Sequence, residues 1–479
     1  MPKIAMIGAG SIVFTKTLMN DILATESLQD SEFRLMSRTW PKLERMEAFA
    51  KRVIEENGLP AKVCATLDRR EALDGADYVI IMIQVGGVDA FQADYEIPLK
   101  YGVDQCIGDT LGPGGVFRAL RSIPALLEIA RDAEELCPNA LIMNYTNPMA
   151  PCCWALGRES QVQFVGLCHG VQTTIDLLAR YVGEKKEDIQ FLAAGINHMA
   201  WFLRLERDGV DLYPILRENI EKPEYYANEK VRCEVMRHFG YFMTESTGHL
   251  SEYVPWFRKN QKALSLYCDE PSFGGESGAY YKWSRAVADK FAKVDPLSFE
   301  EPMLEPRSAE YCSYIIEAME TDRVFRFNGN VRNDGLITNL PEGCCVEVPC
   351  YADKTGLHAV HVGDLPPQCA ALCQSNVTVQ GLAVQAAVTG DPERAFHAVA
   401  MDPLTSAVLT LAETRDMVAE MLEAEREWLP QFDGKSLPRR PVISIPPGVQ
   451  RVETPLDPAL AIGHRFVRLM QMGESPARE

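Results

Sequence analysis

The first residues of the chain constrain its fold more than any other stretch. Residues 3–7 form an apolar run of the length of a buried strand, and this run leads directly into Gly8-Ala9-Gly10-Ser11. A helical pattern of apolar residues follows, with Phe14, Leu18 and Ile22 on one face. A strand, a glycine turn and a helix in this order predict the opening of a βαβ unit.

The alternation of strand and helix continues over the next 160 residues or so. Residues 42–58 have a helical pattern that ends at Gly58. Further buried strands are predicted at residues 33–37, 61–68, 78–83 and 141–143, and one more runs into Cys168. This alternation predicts an α/β fold with a Rossmann-like, doubly wound parallel sheet that binds ligands at the carboxyl ends of its strands.

The length and the later pattern predict further parts. A chain of 479 residues is too long for one ordinary core. We therefore predict a Rossmann-like nucleotide domain over 1–190 and a mixed α+β domain over 191–432, which carries substrate, metal and oligomer contacts. Residues 433–479 are rich in Pro and Arg and predict an extended arm that ends in one short helix.

Composition excludes several classes of protein. A formal net charge of −19 at pH 7 argues against binding to nucleic acid or to an anionic membrane surface. No uninterrupted apolar stretch is long enough to span a bilayer, and the first ten residues leave no room for a secretory signal. We expect a cytoplasmic protein whose 14 scattered cysteines are mostly reduced and buried.

The glycine turn is a candidate dinucleotide site. Its first two glycines match the fingerprint that lets a pyrophosphate approach a helix N-terminus, but Val13 stands at the third position. Ser37 replaces the acidic residue expected at the end of the second strand, with Arg38 beside it, so NAD and NADP both remain open. The cofactor-binding candidates are Gly8, Gly10, Ser11, Ile12, Gly86 and Gly87.

Cys168 and His169 pose the main question about chemistry. A thiolate and an imidazole from two loops, Cys168 and His198, could hold a divalent ion with positions open for substrate. A Cys–His hydrolase is the rival interpretation, although adjacent residues point their side chains apart. The third interpretation is that Cys168 and His198 are ordinary buried core residues. Spacing alone does not decide among these three, and Asp109 could likewise be no more than a capping residue in a loop.

Several segments taken together resemble glycoside hydrolase family 4, the NAD- and Mn-dependent glycosidases. The matching segments are "IGAGS", "DTLGPGGVFRALRSIP", "NYTNPMA", "VGLCHGVQ", "AGINHMAW", "TESTGHLSEYVPWF" and "GNVRNDGLITNLPEGCCVEV". They extend to about residue 430 and are most similar to the α-galactosidase (melibiase) branch. The final arm lies beyond the part that we can match.

The resemblance implies an unusual route to glycoside hydrolysis, because this family does not use a pair of carboxylates. NAD⁺ takes hydride from C3 of the sugar, a side chain removes the C2 proton, the C1 substituent leaves, water adds and the hydride returns. A divalent ion, Mn²⁺ or another, assists this chemistry. The resemblance also implies a homodimer or homotetramer and a small-molecule glycoside as substrate.

The family's site residues carry over position by position. Cys168 and His198 match the metal ligands. His249 stands in the place of the base with Tyr253 nearby, and His169 would assist the leaving group or bind a hydroxyl. The residues expected to face the sugar are Asp109, Asn144, Asn147, Arg332 and Asn333.

One departure and two rivals remain. Gly170 stands where melibiase-type members carry Ser and resembles the α-glucosidase and α-glucuronidase branches, so such an activity or a broad specificity is the alternative. From other classes, a simple NAD(P)-dependent sugar dehydrogenase would consume its cofactor. A non-catalytic sensor would be expected to lose the Cys168–His198 pair, which is intact here.

Overall fold

Twelve strands form one sheet in the computed structural model, which describes residues 1–299, 301–455 and 457–472. The strands are β1 (Lys3–Ile7), β2 (Glu32–Met36), β3 (Lys62–Thr66), β4 (Tyr78–Ile81), β5 (Leu141–Asn144), β6 (Gln163–Gly166), β7 (Gln190–Ile196), β8 (Met199–Arg207), β9 (Val210–Asp211), β10 (Phe325–Arg332), β11 (Cys345–Asp353) and β12 (Gly356–Ala359). Their order is β3-β2-β1-β4-β5-β6-β10-β11-β7-β8-β9, with β12 paired to β11.

The first six strands confirm the predicted Rossmann-like sheet. They run parallel in the order β3-β2-β1-β4-β5-β6. Strands β4 and β5 are buried along their whole length, as expected for strands that helices cover on both faces. Burial on both faces explains why the sequences of β4 and β5 are apolar throughout.

Helices connect and cover the strands. Those of the first half are α1 (Ile12–Leu23), α2 (Trp40–Glu56), α3 (Arg69–Leu73), α4 (Gly87–Lys100), α5 (Gly112–Leu136), α6 (Met149–Glu159) and α7 (Gly170–Val182). Those of the middle are α8 (Tyr213–Ile220), α9 (Pro223–Tyr226), α10 (Lys230–Phe239), α11 (Thr247–Tyr253), α12 (Gln261–Tyr267), α13 (Ala279–Lys293) and α14 (Cys312–Thr321). The last are α15 (Pro367–Thr389), α16 (Pro392–Ala400), α17 (Pro403–Val408), α18 (Leu411–Ala424) and α19 (Pro458–Met472).

The later strands confirm the mixed α+β character of the second part, and they extend the parallel sheet. Strand β10 pairs antiparallel with β6 through Asn330 and Gly166, and also with β11. One continuous sheet runs through residues 1–440, which form a single compact unit. The division at residue 190 stays a prediction.

Residues from 441 onward form a second unit. Its described part has no regular structure before helix α19, and the predicted arm over 433–479 stays a prediction. Residues 433–440 belong to the first unit, in which Leu437 is buried and the Pro438 carbonyl accepts a hydrogen bond from Arg415.

Two further features bear on the sequence predictions. None of the cysteines forms a disulfide, and all except Cys64 and Cys168 are buried, as expected. In the described part of the chain, no helix combines the length and the apolar character needed to cross a membrane.

Candidate functional site

The turn after β1 has the geometry of a phosphate-binding loop. Gly8 has a φ of +99°, and a Cβ there would lie 2.4 Å from the carbonyl oxygen of Met82, so only glycine fits. The amides of Gly8 and Ala9 donate to the Met36 carbonyl and fix the turn on β2. Helix α1 begins after Ser11, whose side chain makes no capping hydrogen bond, so the helix N-terminus is available to an anion.

The other cofactor candidates lie at two kinds of position. A Cβ at Gly10 would lie 2.8 Å from the Ser37 hydroxyl oxygen, so Gly10 serves the close approach of the turn to the end of β2. Gly86 has a φ of +78° and packs on the Trp428 ring, whereas Gly87, with a φ of +56°, faces open space. Only Gly87 of this pair leaves room for a ligand beside its backbone.

Three potential metal donors meet where β6, the turn between β7 and β8, and the segment before α11 approach one another. They are Cys168, His198 and Glu245, and their donor atoms all lie within 4.8 Å of one another. Cys168 Sγ lies 3.3 Å from His198 Nε2, which lies 3.5 Å from Glu245 Oε1. A thiolate, an imidazole and a carboxylate suit a divalent ion. We call these residues the metal-donor cluster.

Two members of the metal-donor cluster have a backbone that ordinary residues avoid. The φ angles of His198 and Glu245 are 63° and 78°, in the left-handed region. Such a conformation costs on the order of 1–3 kcal/mol for a residue other than glycine and persists where the surroundings enforce it. The fold therefore holds His198 and Glu245 in an energetically unfavourable backbone conformation that brings their side chains together.

A closed ring of polar contacts includes two of the donors and links them to three more side chains. Its members, in order, are His198, Tyr253, Thr110, His249 and Glu245. The Tyr253 hydroxyl lies 3.2 Å from His198 Nδ1 and donates to Thr110 Oγ1 at 2.7 Å. His249 lies between Thr110 Oγ1, 2.8 Å from its Nε2, and Glu245 Oε2, 3.0 Å from its Nδ1. We call this the site ring.

Burial and neighbouring charges set the protonation of these groups. Burial lowers the pKa of His198 to about 4, which leaves its imidazole neutral, the form that binds a metal. Burial also acts to lower the pKa of His249, but the hydrogen bond to Glu245 and the surrounding carboxylates together outweigh this effect and raise the pKa to about 9. Burial acts to raise the pKa of the Glu245 carboxyl, but His198, His249 and His169 together outweigh it and lower this pKa. Burial raises the pKa of the Cys168 thiol well above its usual value.

Asp109 and its neighbours form the side of the site that suits a polyhydroxyl ligand. Asn147 Nδ2 donates to Asp109 Oδ2 at 3.1 Å, Arg118 Nη1 lies 3.6 Å from the same oxygen, and His249 Nε2 lies 3.9 Å from Asp109 Oδ1. Asp109 Oδ1, Arg118 Nη1 and Asn197 Nδ2 are buried without a hydrogen-bond partner among the described residues. Buried polar atoms are almost always paired, so these groups await a polar ligand.

His169 lies at the edge of this arrangement. Its side chain is 59% exposed, and its Nδ1 lies 3.6 Å from Glu310 Oε1. The interaction with Glu310 raises the pKa of His169. Cys168 Sγ has His198 Nε2 as its imidazole neighbour, whereas His169 Nδ1 faces Glu310, and these contacts disfavour a Cys168–His169 nucleophile pair.

Three predicted sugar-binding residues make their hydrogen bonds outside the metal-donor cluster and the site ring. Asn144 closes the turn after β5 through the backbone of Thr146. Arg332 donates to the Gly157 carbonyl and pairs with Asp334. Asn333 is buried and uses its amide on the backbone of residues 337–341. Their roles toward a sugar stay predictions, and the contacts described here give them a structural one.

Sequence reasoning missed Glu245 and Arg118 and gave Thr110 no role. Glu245 stands four residues before His249, a spacing that brings an acid and an imidazole together in a helical turn. That signal was present, but Glu245 precedes helix α11, and its left-handed backbone could not be foreseen from spacing. Arg118 lies inside α5, where the sequence shows only one of several arginines.

Comparisons with known proteins agree with this geometry. The model of the family 4 glycosyl hydrolases matches residues 3–184, and the model of their C-terminal domain matches residues 193–405. Alpha-galactosidases of Rhizobium meliloti and Bacillus subtilis are 42% and 40% identical over 90% of this chain, and the matches cover 89% and 100% of those proteins.

Solved structures show the same fold. The lplD protein of Bacillus subtilis superposes with a TM-score of 0.78 at 26% identity over 88% of this chain and 100% of that one. The 6-phospho-beta glucosidase of Thermotoga maritima gives a TM-score of 0.73 at 23% identity over 89% of this chain and 99% of its own. The chain is a glycoside hydrolase and belongs to glycosyl hydrolase family 4.

Proposed function

We propose that this enzyme hydrolyses α-galactosides by transient oxidation at C3 of the sugar, with NAD and a divalent metal ion as cofactors. The identity to two alpha-galactosidases, 42% and 40%, carries the choice of sugar. An alpha-glucosidase of Erwinia rhapontici and an alpha-galacturonidase of Thermoanaerobacter italicus are only 30% and 29% identical. The chemistry is argued from the site itself.

The residues present fit both cofactors. The Thermotoga maritima structure contains manganese and NAD⁺. In this chain, the N-terminus of α1 follows the glycine turn and has no side-chain cap, so it can face a pyrophosphate, and the metal-donor cluster offers one atom from each of three side chains. When bound, NAD⁺ accepts and returns a hydride at C3 while a divalent ion polarises the sugar oxygens beside it.

The side chains around Asp109 would orient the sugar. Asp109 Oδ1 can accept a hydrogen bond from a sugar hydroxyl, and Arg118 Nη1 can donate one, because both atoms are buried and have no hydrogen-bond partner among the described residues. Asn147 holds the other oxygen of Asp109 and thereby fixes the direction of the free one. A sugar held in this way would lie beside His249, whose Nε2 lies 3.9 Å from Asp109 Oδ1.

His249 is the proposed acid–base residue at the C2 proton. Its Nε2 faces Asp109 and Thr110, and its Nδ1 is held by Glu245, an arrangement that fixes the imidazole ring as general acid–base catalysis requires. Tyr253 is the second candidate, because its hydroxyl donates to Thr110, which His249 also contacts. His169, on the open side of the site, would serve the leaving group.

A panel of aryl glycosides tests the substrate. With NAD⁺, Mn²⁺ and a reducing agent present, we expect kcat/KM for the aryl α-galactoside to exceed that for the α-glucoside and the α-galacturonide by about tenfold or more. A tenfold ratio corresponds to a difference in activation free energy of about 1.4 kcal/mol. A preference for either of the other sugars would overturn the choice of galactose and leave the family chemistry intact. Equal rates would indicate a broad specificity.

Hydrolysis in deuterated water tests the route. We expect deuterium at C2 of the released sugar and many turnovers for each NAD⁺, because the oxidation is reversed within the cycle. A simple sugar dehydrogenase would instead reduce one NAD⁺ for each sugar consumed. Hydrolysis that needs no NAD⁺ and leaves C2 unlabelled would overturn the proposed route.

A further inference from the structure

Gly170 lies so close to the Glu245 carboxylate that a methyl group at residue 170 would overlap it. A Cβ built on Gly170 would lie 2.9 Å from Glu245 Oε1 and 3.6 Å from Cys168 Sγ. The first distance is shorter than a carbon and an oxygen tolerate without a shift. The absence of a side chain at residue 170 therefore leaves the space that the carboxylate occupies.

We propose that Glu245 is a third protein ligand of the divalent ion, and that Gly170 is a positioning residue whose missing side chain admits the carboxylate to the ion. This inference rests on the metal ion of the proposed function and adds to it. Cys168 and His198 alone were expected from the sequence, and Glu245 completes a set of one thiolate, one imidazole and one carboxylate. A carboxylate oxygen is a ligand that Mn²⁺ favours.

The orientation of Glu245 supports this role. One oxygen, Oε2, is held by His249 Nδ1 at 3.0 Å, and this contact turns the other oxygen toward Cys168 and His198. Oε1 lies 3.5 Å from His198 Nε2, close enough for one ion to contact both. The left-handed backbone of Glu245, with a φ of 78°, costs conformational free energy. Its role in bringing Oε1 beside the other two donors explains why the fold keeps it.

A side chain at residue 170 would act on the carboxylate rather than on the fold. Gly170 is the first residue of α7, where alanine is a better helix former than glycine. The atom that a Cβ would meet is the end of a flexible side chain, which can swing away, whereas Cys168 Sγ at 3.6 Å is at ordinary contact distance. Gly170→Ala should therefore fold normally and move Oε1 away from the other two donors.

Binding of Mn²⁺ alone to the full-length protein, measured by the loss of the free-ion electron paramagnetic resonance signal, tests the proposal without any substrate. We expect Glu245→Gln to raise Kd for Mn²⁺ by about 10–100-fold and Gly170→Ala by about 10-fold. If Gly170 acts through Glu245, the double variant should bind like Glu245→Gln alone. Melting temperatures should not fall for Gly170→Ala, which separates a moved ligand from a damaged fold.

Two variants serve as matched controls. Glu310→Gln removes a carboxylate that lies beside His169 and outside the metal-donor cluster, and Gly463→Ala adds a methyl group in a helix where no atom lies within 4 Å. Both should keep the wild-type Kd for Mn²⁺. An unchanged Kd in Glu245→Gln, or equal effects of Gly170→Ala with and without Glu245, would overturn the inference. Failure of the wild-type protein to bind Mn²⁺ would overturn the metal of the proposed function instead.

Discussion

Two carboxylates near the two ends of helix α11, the buried Glu252 and the half-buried Glu245, have opposite surroundings. Glu252 accepts hydrogen bonds from the amides of Cys106, Ile107 and Gly108 and from the side chain of Gln105, at 2.6–3.0 Å. Glu245 has a left-handed backbone and faces a thiol and two imidazoles. A fully bonded buried carboxylate stabilises the fold, whereas one held in a strained position among potential metal ligands indicates a binding site.

The loop that Glu252 holds leads into the site that contains Glu245. The loop that Glu252 holds, residues 105–108, directly precedes Asp109 and Thr110, and Thr110 belongs to the site ring. Glu252 therefore fixes the loop from which the sugar side of the site is built. We therefore expect substitution of Glu252 to lower mainly the stability of the fold, and substitutions in the metal-donor cluster to lower mainly the activity.

The largest effect is expected from Cys168→Ser. Serine is a poor metal ligand at neutral pH, and loss of the ion should lower kcat/KM on the order of 10³-fold, several kcal/mol of transition-state stabilisation. The unfolding midpoint in urea should change little, because serine is close to cysteine in size and shape. The exposed Cys64 provides the control, since Cys64→Ser should retain full activity. Substantial activity in Cys168→Ser would exclude a ligand role for the thiolate.

Glu252→Gln should produce the largest loss of stability. The amide has only one accepting oxygen, and its NH₂ group would face the backbone amides of residues 106–108. We expect the free energy of unfolding to fall by about 2–4 kcal/mol, measured by urea denaturation. Mn²⁺ affinity below the unfolding transition should stay close to wild type. A stable variant that has lost Mn²⁺ would reverse the roles given to the two ends of α11.

Substitutions at His198 test the strain in the metal-donor cluster. Asparagine tolerates the left-handed region, whereas a β-branched residue does not. His198→Asn should therefore be more stable than His198→Val by about 1–2 kcal/mol, although neither should retain full activity. Differential scanning calorimetry measures this difference. Equal stability of the two variants would indicate that the backbone at residue 198 relaxes when the imidazole is removed.

The smallest effect is a pH dependence that arises at another buried carboxylate. Asp402 caps α17, its Oδ2 accepts two hydrogen bonds from Thr405 at 2.7 Å, and burial raises its pKa to about 6. Because the folded state then holds a proton that the unfolded state has released, the contribution of Asp402 to stability falls as pH rises from about 4 to above 6.

Comparison of the wild type with Asp402→Asn isolates this contribution. The asparagine oxygen can still accept from Thr405, so the cap is kept and the titration is removed. The wild type should lose about 1 kcal/mol more than the variant between pH 5 and pH 7, measured as urea unfolding free energies. Parallel pH profiles for the two proteins would show that Asp402 does not titrate in this range.

The fold was predictable where local patterns decide it. The apolar run at residues 3–7 coincides with β1, and the continuous runs that became β4 and β5 are buried as expected. The pairing of β6 with β10 was not predictable, because it joins residues 164 positions apart and no periodicity marks the partner. Local patterns therefore could not indicate that the strands of both predicted domains join in one continuous sheet.

The site was predictable only in part, for a related reason. Cys168 and His198 came from the resemblance, and their side chains do lie 3.3 Å apart. Glu245 depends on a left-handed backbone and on the missing side chain of Gly170, and both are consequences of tertiary structure. Asn333 shows that a polar residue in a matching motif can also satisfy the backbone of its own turn, a contact that the motif does not reveal.

Because the sheet is continuous, the chain is difficult to divide into fragments that fold on their own. Strand β6 is hydrogen-bonded to β5 on one side and to β10 on the other. A chain cut near residue 190 would leave β6 as a long-lived open edge, which invites pairing with other copies and aggregation. The parallel half, although it looks complete in the sequence, is therefore not a transferable module for grafting or for expression alone.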